Sequence, residues 1–136
     1  MSENIRPPIE PGPELDAWLA PYLGWHKKVL PERGNRFCHF PAETQWFEPG
    51  YPKPRPNVSR WSSDNGLAID QIVPAMATKD WCLLLEWSVP NGDSVAAVFR
   101  KFGNWKLIGY AIHSTVAGAI ALAAAKALSA EAGKGE

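Results

Sequence analysis

Apolar residues recur along the chain at two periods, and the change of period divides it into elements. Leu15, Trp18, Leu19, Tyr22 and Leu23 are spaced three and four apart, which places them on one stripe of a helix. Pro13 suits the first helical position, and Glu14 and Asp16 favour the positive end of the helix dipole. Pro21 removes a hydrogen bond and ends or kinks this helix near Ala20, and Gly24 is the expected stop. A second helix is predicted from Ser62, Ser63 and Asp64, whose side-chain oxygens suit the free amides of a first turn. Leu67, Ala68, Ile69, Ile72 and Val73 form its apolar stripe, and Pro74 interrupts it.

The period then falls to two. Residues 81–89, 94–102 and 105–112 alternate across two faces, with turns at residues 90–93 and at Gly103 and Asn104, and so predict a three-stranded antiparallel meander. Ser114 or Thr115 caps a last, alanine-rich helix that begins near Val116 and stops at Gly133. The fold expected is α+β: a small three-stranded antiparallel sheet packed between helices, an α/β/α sandwich. It forms one domain over residues 13–133, with a flexible leader at 1–12 and a solvated tail at 134–136.

Residues 25–60 carry neither period. Eleven of the thirteen prolines precede Trp61, which argues against long helices and central strands there, so a long irregular loop is predicted. Its composition is not that of a disordered tail, because Trp25, Phe37, Phe40, Trp46, Phe47 and Tyr51 must be accommodated. Residues 51–56 suit an extended left-handed proline helix.

Charge changes the picture only locally. Fourteen basic residues balance fourteen acidic ones, which removes a general attraction to nucleic acid. Within residues 26–60, however, Lys27, Lys28, Arg33, Arg36, Lys53, Arg55 and Arg60 outnumber Glu32, Glu43 and Glu48. Cations among aromatic rings can stack bases or grip a partner protein, or the rings can pin the loop while the charges are solvated. Trp25, Arg36, Trp46, Tyr51, Arg55, Arg60 and Trp61 are the candidate contact residues for a partner protein or a small nucleotide-like ligand. Arg55 and Arg60 also lie just upstream of the Asp64 helix start, where free amides favour an anion, although the Asp64 carboxylate competes for that position.

Catalytic and metal chemistry find less support. His26, Cys38, His39, Cys82 and His113 include no paired spacing of the kind zinc requires, so neither a metal nor a cofactor is expected. Cys38 beside His39 invites a thiol nucleophile, but no helix start stands next to it to lower its pKa. Two cysteines in a chain that opens without a charged and then apolar leader point to reduced thiols in a cytoplasm. The apolar run at residues 117–125 is too short to cross a bilayer.

The order of several segments resembles the phage ABA sandwich domain family. They are Leu15-Asp-Ala-Trp-Leu-Ala20, Leu23-Gly-Trp25, Trp61-Ser-Ser-Asp64 opening a helix, a short meander, Ser114-Thr-Val-Ala-Gly-Ala-Ile120, and Ala123-Ala-Ala125. Trp61 and Ser63 stand where that family usually has tyrosine and threonine, and residues 26–59 fall outside the resemblance. It implies a phage or prophage origin, the cytoplasm of a bacterial host, and helices on both sides of a sheet; it supplies no catalytic residues. The resulting expectation is a noncatalytic accessory protein that binds a host partner or small ligand through its aromatic and basic loop and counters host defence. The alternatives are a small enzyme using Cys38 or a histidine, and a virion or assembly protein that forms a homo-oligomer.

Overall fold

The computed structural model describes residues 7–87 and 93–134, and the rest of the chain is laid around helix α4 (Val116–Lys134). Two side chains cap its first turn: Thr115 Oγ1 accepts from the Gly118 amide at 3.0 Å, and Asn65 Oδ1 accepts from the Ala117 amide at 2.9 Å. Every residue from 117 to 125 is buried, as are Ala127 and Leu128. Such a helix needs neighbours around most of its girth, and small alanine side chains let them approach. The helix runs through Gly133, the expected stop, to Lys134.

One set of neighbours is the sheet. Strands β5 (Trp81–Trp87), β6 (Val95–Lys101) and β7 (Leu107–His113) form the expected antiparallel meander in the order β5-β6-β7. Leu83, Phe99 and Gly109 stand in one register row, on the face turned to α4. Gly109 sits where a Cβ would run into the Ala123 carbonyl oxygen and come within 2.8 Å of the Ala127 Cβ. The absence of a side chain there sets how closely β7 and α4 approach. Of the expected 90–93 turn, only Asp93 lies within the described residues.

Helix α1 (Pro13–Leu19) lies against α4, as do α2 (Asn65–Leu67) and the π-helical turn Ala68–Ile72 that follows it. The π turn leads into α3 (Val73–Ala77), so the helix continues through Pro74 instead of stopping. A π turn widens the backbone just before the proline, which relieves the clash that an α-helical ring would make with the carbonyl four residues back. Leu15, Leu19, Trp61, Ile72, Met76, Phe99, Ile120 and Leu128 are all at most 1% exposed and form the middle of the core.

The class and the three-stranded sheet are as the sequence implied, but the layering differs. α4 is enclosed by β6 and β7 and by α1, α2 and the π turn, while α3 packs against β5. The sheet's outer face carries Leu84, Tyr110 and Ile112 at 44–54% exposure. The reason is α4 itself: a helix apolar on all sides takes the central position that alternating, two-faced strands would otherwise fill.

The irregular loop is also corrected. Strands β1 (His26–Leu30) and β4 (Glu43–Phe47) pair antiparallel from His26 opposite Phe47 to Leu30 opposite Glu43. Strands β2 (Arg33–Gly34) and β3 (His39–Phe40) continue as a second short pair toward the tip. The sequence hides this hairpin because neither side of the ribbon is buried along most of its length, so no alternation marks it. No helix among the described residues is long and apolar enough to cross a membrane.

Candidate binding surface

The hairpin arm of residues 26–47 is closed at its tip by local polar chemistry. Asn35 Oδ1 accepts from the Phe37 and Cys38 amides at 2.8 and 3.0 Å, and the Asn35 amide donates to the Cys38 carbonyl at 2.7 Å. Gly34, at φ 148°, faces the Cys38 carbonyl oxygen where any Cβ would collide. The tip is therefore a fixed turn that displays Arg36 and Phe37.

Residues 31–44 are all exposed, Phe37 at 87%. Cations lie over rings along the arm: Arg33 over Phe40 at 5.2 Å, Arg36 over Phe37 at 5.6 Å, and Lys27 over Trp46 at 5.8 Å. Such pairs keep flat hydrophobic surface and positive charge together in solvent.

The proline-rich segment returns along the arm's base. Pro54 and Pro56 have no amide hydrogen, but Arg55 between them exchanges both backbone hydrogen bonds with Trp46, at 2.7 and 2.8 Å. The Arg55 guanidinium stands 5.2 Å over the Tyr51 ring, and its Nη2 lies 3.0 Å from Glu48 Oε1, a buried oxygen with no other partner.

The sequence-derived contact residues divide accordingly. Arg36, Tyr51, Arg55 and Arg60 are exposed, whereas Trp25, Trp46 and Trp61 are 4%, 8% and 0% exposed. Trp25 meets Trp61 edge to face at 5.6 Å, and Trp61 Nε1 donates to Gln71 Oε1 at 2.8 Å. These two rings are core.

A cleft of about 430 Å³ joins the arm to the body, lined by Asp16, Trp46, Asn57, Val58 and Arg60 among others. It brings Trp46 and Arg60 together with Asp16 and Asn57, which sequence reasoning did not single out. Asp16 is 2% exposed. The available signal was its place beside Leu15, Leu19 and Ala20 on the buried stripe of α1, where a carboxylate is unusual.

Ser62 explains how Asp16 is held. Its amide donates to Asp16 Oδ1 at 2.8 Å, and its Oγ accepts from the Gly12 amide at 2.8 Å, so α1 is pinned to the chain entering α2. Ser62 is thus a tertiary link and not a helix cap; Asp64 alone caps α2, accepting from the Leu67 amide at 3.1 Å. Burial pushes the Asp16 carboxyl above its ordinary value of 3.8, against the lowering effect of the Ser62 hydrogen bonds.

A group with a raised folded pKa binds protons better in the native state. Stability is therefore expected to rise as pH falls through the folded pKa of Asp16 and to level off below about 3.8. Denaturant titrations between pH 7 and 4 should show this slope, reduced in Asp16→Asn, which keeps an acceptor for Ser62 without the charge. Asp16→Ala leaves the Ser62 amide unsatisfied and should cost about 1–3 kcal/mol. An unchanged slope in Asp16→Asn would refute this account.

Cys38 is exposed, and His39 turns toward Glu32, with Nε2 3.9 Å from its carboxylate. No group of three or more His, Cys, Asp or Glu residues suited to a metal exists among the described residues. No protein-family model, curated protein or solved structure matches the chain.

Proposed function

We propose that the protein is a noncatalytic binding protein whose hairpin arm grips an acidic partner surface. The observation that carries this reading is the exposure of the whole distal arm, with arginines resting on rings that the core does not use. Exposed Arg and aromatic residues are the types that dominate binding energy when desolvated. Lys27, Lys28, Arg33, Arg36, Lys53, Arg55 and Arg60 give this surface its sign, and all seven are exposed. The resemblance to phage ABA sandwich proteins supports a phage or prophage accessory role inside a bacterial host, with a host protein as the partner. Action against host defence rests on that resemblance alone.

Replacing residues 31–42 with an Asn-Gly turn would join Leu30 to Glu43, the last paired residues of β1 and β4. The shortened protein should melt within a few degrees of the parent and lose the partner captured by the full-length arm from host lysate. Capture should also weaken with salt. Equal capture by both proteins would sink the proposal.

The cleft supports a second reading, a small ligand held between Trp46 and Asp16 with Arg60 at the rim. A nucleotide panel screened by thermal shift, with Asp16→Asn as the control, tests it.

A further inference from the structure

The face of the sheet turned away from α4 is crossed by three rows of side chains. They are Glu86, Ala96 and Ile112; Leu84, Val98 and Tyr110; and Cys82 and Arg100, beyond which the pairing with β7 shifts register. Leu84 is 48% exposed, Tyr110 44% and Ile112 54%, an apolar patch of the size that on a monomer is often a contact site. Charge is confined to Glu86 in the first row and Arg100 in the third.

We propose that this face docks against the same face of a second copy of the chain. The two-fold axis lies in the plane of contact, perpendicular to the strands, along the row of Leu84, Val98 and Tyr110.

The charges select this arrangement. Within one copy Arg100 lies four residues along β6 from Ala96, the partner of Glu86, or about 13 Å, too far for an ion pair. Glu86 makes no ion pair among the described residues. Arg100 spends Nη1 on the Trp105 carbonyl at 3.0 Å, which leaves its other donors for a second acceptor. Rotation about the proposed axis lays the first row of one copy over the third row of the other. Glu86 then faces Cys82 of the second copy, one strand from its Arg100, and the symmetry makes the contact twice. The middle rows meet as Leu84 on Leu84, Val98 on Val98 and Tyr110 on Tyr110. The other in-plane axis, parallel to the strands, sets Arg100 on Arg100 and is disfavoured by like charge. Sheets packed in this way stand about 10 Å apart, which long Glu and Arg side chains can bridge.

Size sets the strength. Three strands of seven residues present a face of about 14 by 23 Å, well under the roughly 800 Å² per partner of standard interfaces. The dimer is therefore weak and reversible. None of its contacts comes from the arm, so it stands or falls independently of the proposed function.

Sedimentation equilibrium of the full chain from about 10 μM to 1 mM is the test. The parent should shift from monomer to dimer across this range. Glu86→Arg places like charges at both symmetric contacts and should stay monomeric, as should Leu84→Lys. Glu86→Arg combined with Arg100→Glu restores opposite charges and should recover the dimer. Tm values within a few degrees of the parent would show that each variant is folded. A monomer at every concentration would overturn the proposal. A dimer that survives Glu86→Arg or Leu84→Lys would place the contact elsewhere and overturn it as well.

Discussion

Trp61→Ala will lower the unfolding free energy by about 3–5 kcal/mol, a large share of the 5–15 kcal/mol typical of a domain. The indole is wholly buried, its edge contact with Trp25 is lost, and Gln71 Oε1 is left without the donor 2.8 Å away. Denaturant unfolding measures the loss, and Trp61→Phe should recover most of it by refilling the volume. The same experiment separates the two roles open to this ring. A contact residue would leave stability unchanged and remove binding; a core residue collapses the fold with or without a partner. Trp46 falls nearer the core side, at 8% exposure, so its alanine variant is a poor probe of binding. Phe37, at 87%, is the better one.

Gly109→Ala should cost about 1–3 kcal/mol and Gly109→Val more, by overpacking. The added Cβ meets backbone on one side, the Ala123 carbonyl, and the Ala127 Cβ at 2.8 Å, so no flexible side chain can move aside. Relief requires β7 to withdraw from α4, which opens the main interface between helix and sheet. Thermal melts of both variants provide the measurement. An unchanged Tm in Gly109→Val would mean that the helix and sheet are not held as closely as the geometry states.

These two positions show where the sequence could be read and where it could not. Trp61 was visible as an aromatic residue next to a helix start, but its burial depends on Trp25, thirty-six residues earlier, meeting it edge-on. Gly109 lies inside an alternating strand, and only the approach of α4 gives it meaning. Asp16 read as an ordinary acid in a first helical turn until Ser62, from another part of the chain, gave it a partner. The arm was missed for a different reason. Its strands carry charge and rings on both sides, so their pairing is held by backbone bonds and a closed tip that leave no hydrophobic rhythm.

Local sequence was enough for the helix starts at Pro13, Asp64 and Thr115, the turn at Gly24, the three strands of the meander and the α+β class. Each of these follows from forces acting over a few residues: capping, dihedral preference and burial of one face. Contacts between distant segments decided that α4 would be enclosed, that Trp25, Trp46 and Trp61 would be buried and not displayed, and that the sheet would keep one face open. Those outcomes depend on which apolar surfaces meet, and residues distant in sequence compete for the same burial.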